Sequence, residues 1–274
     1  MRHRARRGSR ASWFAVALVL SIALVLAFLA LPVLAIFLDT GPARLLASLG
    51  ESESIEALKL SLETTAIAIA IIVIVGTPAA FLLATRSFPG KAIVVTLVEL
   101  PLVLPPVAAG IGLLAALGPH GLLGGALGDA HIQLVFQTAG VVVALVFVAS
   151  PFYLRQAQTA FASVDRSYLD ASRTLGAGQA QTFVRVAIPM ARSGLMAGLA
   201  LAWGRALGEF GATLMFAGSV QGITQTVPLA IYDRFATAFP SALALSAILV
   251  IVSASLLLSV KLLSGPEALR SAAR

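Results

Sequence analysis

Six apolar stretches, each near the length needed to cross a bilayer, constrain this chain more than anything else in it. The first runs from Trp13 to Leu38, 26 residues, where a spanning helix needs about 20. The others cover roughly Leu62–Ala84, Ala92–Leu117, Leu134–Phe152, Met190–Ala217 and Ser241–Leu263. Charged residues make up only 11% of the chain, against roughly 25% in soluble domains, and mean hydropathy is +0.97. Lipid is therefore the solvent for most of the molecule. Backbone polar groups in lipid must be satisfied internally, which a helix does within its own segment. The expected fold is an all-α membrane protein with six transmembrane helices.

Within that frame, Pro78 is expected to kink the second span. Ile55 to Leu60 reads as a short interfacial helix leading into it. Glu99 and prolines 101, 105 and 106 interrupt the third span. Breaks of this kind are tolerated at membrane depth where the backbone is buried in protein or lines a cavity. The first span exceeds the roughly 7–15 apolar residues of a cleaved signal peptide. The Arg6-Arg7 pair stands without the rest of a twin-arginine signal.

Lysine and arginine orient the spans, because they concentrate in cytoplasmic connections. With a cytoplasmic N-terminus and six spans, fifteen fall on the cytoplasmic side. Five of them lie in the basic tail of residues 1–12 and five between Arg155 and Arg192. Only Arg44, Lys59 and Arg234 fall outside. The net charge of +7 thus reports membrane orientation and not a nucleic-acid partner. The absence of cysteine excludes disulfides and thiolate metal sites.

The longest polar interruption after the first span, Ser163 to Pro189, lies on the cytoplasmic side. It reads as two short helices broken at Gly176, which can take the left-handed conformation that ends a helix. Ser167 followed by Asp170 fits a capping box. Asp170-Ala171-Ser172 is followed by three residues, Gly176, nine residues and Val186-Ala187-Ile188-Pro189. This pattern resembles the coupling loop of bacterial ABC importer permeases: Glu-Ala-Ala, three residues, Gly, nine residues, then Ile-x-Leu-Pro. Asp170 stands for Glu, Ser172 for the second Ala, and Val186 and Ile188 for Ile and Leu. The resemblance implies that Asp170, Ala171, Ser172, Arg173, Gly176, Ile188 and Pro189 couple the chain to a separate ATPase subunit.

A second stretch narrows the resemblance. AWGRALGEFGATLMFAGS, from Ala202, and TQTVPLAIYDRF, ending at Phe235, resemble the molybdate-type ABC permeases; sulfate permeases share only the R-A-x-G-E-F-G core. LPLVLPPVAAGIGLL and VASPFYLRQA are similar to the same group. The likeness covers roughly Glu56 to Leu263. It implies a type I ABC importer permease fold in one transmembrane domain, 1–274, with the first transmembrane helix at 13–38 and a permease core at about 56–263. It also implies a homodimer, two cytoplasmic ATPase subunits that use ATP, an extracytoplasmic oxyanion-binding protein, and a bacterial plasma (inner) membrane location. No cofactor bound by this chain is implied.

Ionisable residues inside a span are costly, so each is a candidate for function. Arg205 and Glu209 sit at i, i+4, where side chains on one helix face meet. Either they pair to pack span five, or Arg205 offers charge to an anion in the pathway. Gly208 and Gly211, with Gly204, would admit close helix approach or expose backbone amides there. Glu99 reads as a packed or cavity-facing carboxylate. A membrane enzyme is disfavoured: His3, His120 and His131 form no His-Glu-x-x-His pair, and no nucleophile elbow or phosphate loop occurs. No catalytic residue and no metal ligand is expected. A secondary transporter would carry inverted repeats, and none is visible.

Overall fold

The computed structural model describes residues 7–263. Most of the expected basic tail, and the tail arginines Arg270 and Arg274, lie outside the described residues or have undescribed side chains. The long helices are α1 (Arg7–Asp39), α3 (Ser52–Thr85), α7 (Thr138–Ala162), α10 (Ile188–Leu207) and α13 (Phe239–Leu263). Between them lie α2 (Pro42–Gly50), α4 (Lys91–Val103), α5 (Pro106–Leu117), α6 (Gly124–Asp129), α8 (Arg166–Thr174), α9 (Gln179–Thr182), α11 (Gly211–Ala217) and α12 (Val227–Phe235). No strand occurs among the described residues. The proposed interfacial helix at Ile55–Leu60 is not separate; α3 starts at Ser52 and runs unbroken through Pro78.

The bundle is built around α7, flanked by α3 and α10. Hydrophobicity does not drive helices together in lipid, so close backbone approach at small residues does. Tyr153 of α7 shows the arrangement. Its ring is 2% exposed and lies between two glycines. A Cβ on Gly76 of α3 would sit 3.1 Å from its Cδ1, and one on Gly198 of α10 would sit 3.3 Å from its Cδ2. Its hydroxyl shares a 2.7 Å hydrogen bond with Thr77 Oγ1. Thr77 also donates to the Val73 carbonyl at 2.6 Å. When it does, its remaining lone pairs accept the tyrosine proton.

The third span is not one helix. Leu104-Pro105 separates α4 from α5, and the two are bent by 118°. Pro105 and Pro106 lack N–H donors, and proline disfavours helical geometry in the residue before it. Both halves nevertheless contact α7, at different levels. Glu99 of α4 lies 3.8 Å from Arg155 near the C-terminal part of α7. Ala109 and Leu113 of α5 share a core with Ala144 and Val148 nearer its N-terminal part. Counted as one broken span, the pair would bring the five long helices to six crossings.

Span five also departs from expectation. Helix begins at Gln179, ahead of the expected Met190, and passes through a π-helical turn at Phe183–Ala187 into α10. Pro189 thus lies inside a continuous helical run and not at its start. A proline ring clashes with the carbonyl four residues back, here Arg185. The widened turn falls at that carbonyl, with the Ile188 N–H bonded back to Phe183 O. At its far end α10 stops at Leu207, and α11 starts afresh at Gly211.

The short helix α11 packs against α5 through glycine. A Cβ on Gly110 would meet the Ala212 carbonyl oxygen and Met215 Cβ, both at 2.7 Å. Gly110→Val is expected to destabilise the fold by about 1–3 kcal/mol through overpacking. Gly112→Val on the same helix, where nothing lies within 4 Å, serves as control. Thermal unfolding in detergent, read by tryptophan fluorescence, should separate the two.

Candidate functional site

The polar loop folds into an exposed helix held at both ends. At its start the N-cap is Asp165, whose Oδ1 accepts the Ser167 N–H at 2.9 Å. The expected capping box from Ser167 to Asp170 does not form, because Ser167 already lies inside the first turn. That bond holds the Asp165 carboxyl below the ordinary carboxylate range. At the other end Gly176 is left-handed, φ +86°, as expected. Its N–H donates to Arg173 O at 2.9 Å, and the Ala177 N–H donates to Ser172 O at 3.1 Å. Those two bonds form a Schellman cap.

One face of α8 is anchored and the other is presented outward. Leu169 is buried in the main core, and Ser172 Oγ meets Thr182 Oγ1 at 3.1 Å. Asp170, Ala171 and Arg173 are exposed. Asp170 Oδ1 accepts from its own Arg173 Nη1 at 3.2 Å, a surface pair worth little on its own. Tyr168 and Leu175 stand out, the latter 88% exposed. The continuation of the loop is fixed by aromatic rings. Phe183 in the π turn lies 4.9 Å from Phe81 of α3 and 6.1 Å from Phe161 of α7, centroid to centroid. Ile188 packs against the same core. The loop is thus mounted on three spans at once.

The second cluster lies at the break in span five. Arg205 and Glu209 do pair, though not on one helix face as expected, since α10 ends between them at Leu207. Glu209 is 2% exposed. Its Oε1 accepts the Ala212 N–H at 2.7 Å, so it caps the start of α11, and its Oε2 meets the Arg205 guanidinium. One carboxylate thereby joins the end of α10 to the start of α11. This capping was not foreseen; an acid just ahead of a glycine-started helix is the signal that could have shown it. Gly211 is a close-approach residue: an added Cβ would lie 2.9 Å from Pro106 Cβ. A Cβ on Gly204 would meet nothing within 4 Å, and one on Gly208 only the Gly204 carbonyl oxygen at 3.7 Å. Glu99 is brought to Arg155, away from this cluster.

At the end of the bundle opposite α8, the segment between α11 and α12 is tied down by polar contacts. Arg234 donates to Glu51 Oε2 at 2.7 Å, Ser54 Oγ at 3.0 Å and Glu53 Oε2 at 3.0 Å. Asp233 Oδ2 accepts from Ser219 Oγ at 2.9 Å and Gln225 Nε2 at 2.6 Å. The Val227 N–H donates to buried Ser61 Oγ at 2.8 Å. None of these partners was legible as a site, because they lie up to 183 residues apart.

Residues 76–265 match the family model described as the inner membrane component of binding-protein-dependent transport systems. The chain belongs to that family. It is 41% identical over 233 residues to the molybdenum transport system permease protein ModB of Mycobacterium tuberculosis, covering 85% of this chain and 88% of that one. It is 38% identical over 232 residues to the probable transport system permease protein NifC of Clostridium pasteurianum, covering 84% and 81%. The sulfate transport system permease protein CysW of Synechococcus elongatus is 35% identical over 188 residues, covering 69% and 66%. In fold, the chain superposes with a TM-score of 0.75 at 17% identity on a chain of a bacterial alginate ABC transporter, covering 97% and 99%.

Two outcomes are expected. Glu209→Gln keeps an oxygen to accept the Ala212 N–H, whereas Glu209→Ala loses the cap and the ion pair together. Loss of a buried partner typically costs 3–5 kcal/mol; Arg205 keeps 26% side-chain exposure, so about 2–3 kcal/mol is expected for Ala and clearly less for Gln, read by thermal unfolding. For Asp165 the folded pKa is lowered, so its capping contribution is present above the ordinary carboxylate range, near 3.9, and disappears as pH falls through the lower folded value. Amide exchange of α8, corrected for intrinsic rates, should show that loss in the wild type, and in Asp165→Ala a reduced protection that does not change with pH and that the wild type approaches at low pH.

Proposed function

We propose that this chain is the membrane-spanning subunit of an ATP-driven importer that carries a tetrahedral oxyanion, molybdate first among them, into the cytoplasm. The observation that carries the substrate is 41% identity across 85% of the chain to a permease named for molybdenum transport. Two copies would enclose the pathway, two ATPase subunits would dock from the cytoplasm, and a binding protein would deliver the anion from outside. Both chain termini would be cytoplasmic. ATP would be used by the partner subunits, with no cofactor bound by this chain.

The coupling surface in this reading is the outward face of α8: Asp170, Ala171 and Arg173, ending at Gly176. The ATP-bound ATPase pair must prefer one permease conformation for its energy to be transmitted. Movement of α8 would enter the bundle through Leu169 and through the Ser172–Thr182 contact. From there the Phe183 ring would carry it to Phe81 of α3 and Phe161 of α7, and Ile188 and Pro189 would pass it along α10. Arg205 reaches the pathway already neutralised by Glu209. It would offer hydrogen bonds to an oxyanion without a net charge that would trap it, which satisfies the requirement that transit sites bind weakly enough to release. Glu99 with Arg155, and Gly208, would line the approach, while Gly211 holds the wall.

The test is ATPase activity of the reconstituted complex, with binding protein loaded with molybdate, tungstate or sulfate. Molybdate is expected to stimulate most. Sulfate as the best stimulant would move the chain to the specificity that the CysW likeness suggests. Asp170→Arg should cut stimulated activity at least about tenfold with folded yield unchanged, since its side chain is 67% exposed. Undiminished uptake in that variant would remove α8 from the mechanism.

A further inference from the structure

Beside the coupling helix, α3, α8 and α9 leave a groove of about 310 Å³ between them, at the small end of ligand sites. One wall is a stripe of α3 that includes Pro78, Phe81 and Leu82. The rim carries Arg86, Arg173 and Gln179. Arg86 caps α3 through its N–H to Leu82 O, so it stands where the apolar helix meets water. Lys91 Nζ donates to the Arg86 carbonyl at 3.0 Å, so a third cation stands next to Arg86, just outside the groove lining. Asp170 offsets part of the charge of Arg173. The Arg86 side chain has no ion pair or hydrogen-bond partner among the described residues.

The apolar wall continues away from the rim. Ile71, Ile74, Val75 and Leu82 are 40–73% exposed and recur at helical spacing along one side of α3. A cationic rim at the membrane boundary above an exposed aliphatic stripe has the polarity profile of a phospholipid. We propose that this groove binds the phosphate of an anionic phospholipid at Arg86 and Arg173, with an acyl chain along Leu82 and the stripe beyond it. A free inorganic anion would use the rim and leave the stripe without a role. Basic pockets between spans on the cytoplasmic side suit such headgroups. Arg173 belongs to α8 and Arg86 to α3, so the lipid phosphate would bridge the coupling helix to the bundle. That last consequence rests on the function proposed above; the binding does not.

Native mass spectrometry of the full-length protein tests this. The protein would be delipidated and then offered phosphatidylglycerol and phosphatidylcholine of matched acyl chains. Phosphatidylglycerol should be retained preferentially and should resist displacement by millimolar inorganic phosphate. Arg86→Gln should lower its retention about fivefold, the effect of one interfacial cation, and Lys91→Gln should lower it less. Size-exclusion profiles would establish that both variants fold. Equal retention of the two lipids, or wild-type retention of phosphatidylglycerol in both variants, would overturn the proposal. Displacement by inorganic phosphate would overturn it too, reassigning the rim to a free anion.

Discussion

The hydrogen bond between Tyr153 and Thr77, with a glycine near each edge of the ring, is the contact on which the bundle depends. Lipid tails are as apolar as leucine, so α3, α7 and α10 gain little from mere hydrophobicity on meeting. They gain from dense contact and from satisfied polar atoms. Gly76 and Gly198 let two neighbouring backbones close on a single aromatic ring. Thr77 turns that closeness into a directional bond at 2.7 Å. Without it the hydroxyl would be unsatisfied in a water-free site, a cost of about 1–3 kcal/mol. One residue of α7 therefore sets both the spacing and the rotation of its two main neighbours.

The two candidate regions hang from this centre in different ways. At the α8 end the connection is by packing, through Leu169 and the three phenylalanine rings, and packed contacts between spans transmit displacement without needing a broken backbone. At the far end the connection is by polar capping, through Glu209, Arg234 and Asp233, where irregular backbone at or near membrane depth must find partners. The π turn ahead of Pro189 lies between the two regimes. It removes the strain a proline would impose on a straight helix and leaves span five continuous from Gln179 to Leu207.

Much of this was legible from local chemistry. Span length is a local property, and it located the five long helices and the broken third segment. The Gly176 cap is also local, because a left-handed residue six positions after Asp170 has few other uses. What escaped was whatever depends on backbone geometry inside an apolar run. Met190 to Ala217 reads as one apolar span carrying the Arg205–Glu209 pair, and hydropathy does not record that Gly208 to Phe210 leaves the helix. Likewise Asp165 and Ser167 are both good capping residues, and only the actual start of α8 chooses between them. The Tyr153–Thr77 bond joins residues 76 apart, and no periodicity in either helix points to the other.

The first helix shows the opposite extreme. Its apolar stretch, Trp13–Asp39, has none of its most hydrophobic window buried within the chain, and the family match begins only at residue 76. Considered as information, α1 is almost blank. Within one copy of the chain, its physics asks for length and oiliness and is indifferent to order, so a great many sequences would serve equally well. Gly76 and Gly198 have far less latitude, since a Cβ added at either would meet a neighbouring side-chain carbon at 3.1 Å. Specification in this protein is therefore concentrated in a few small residues around one aromatic ring, and its most hydrophobic helix is the part of the molecule that says least.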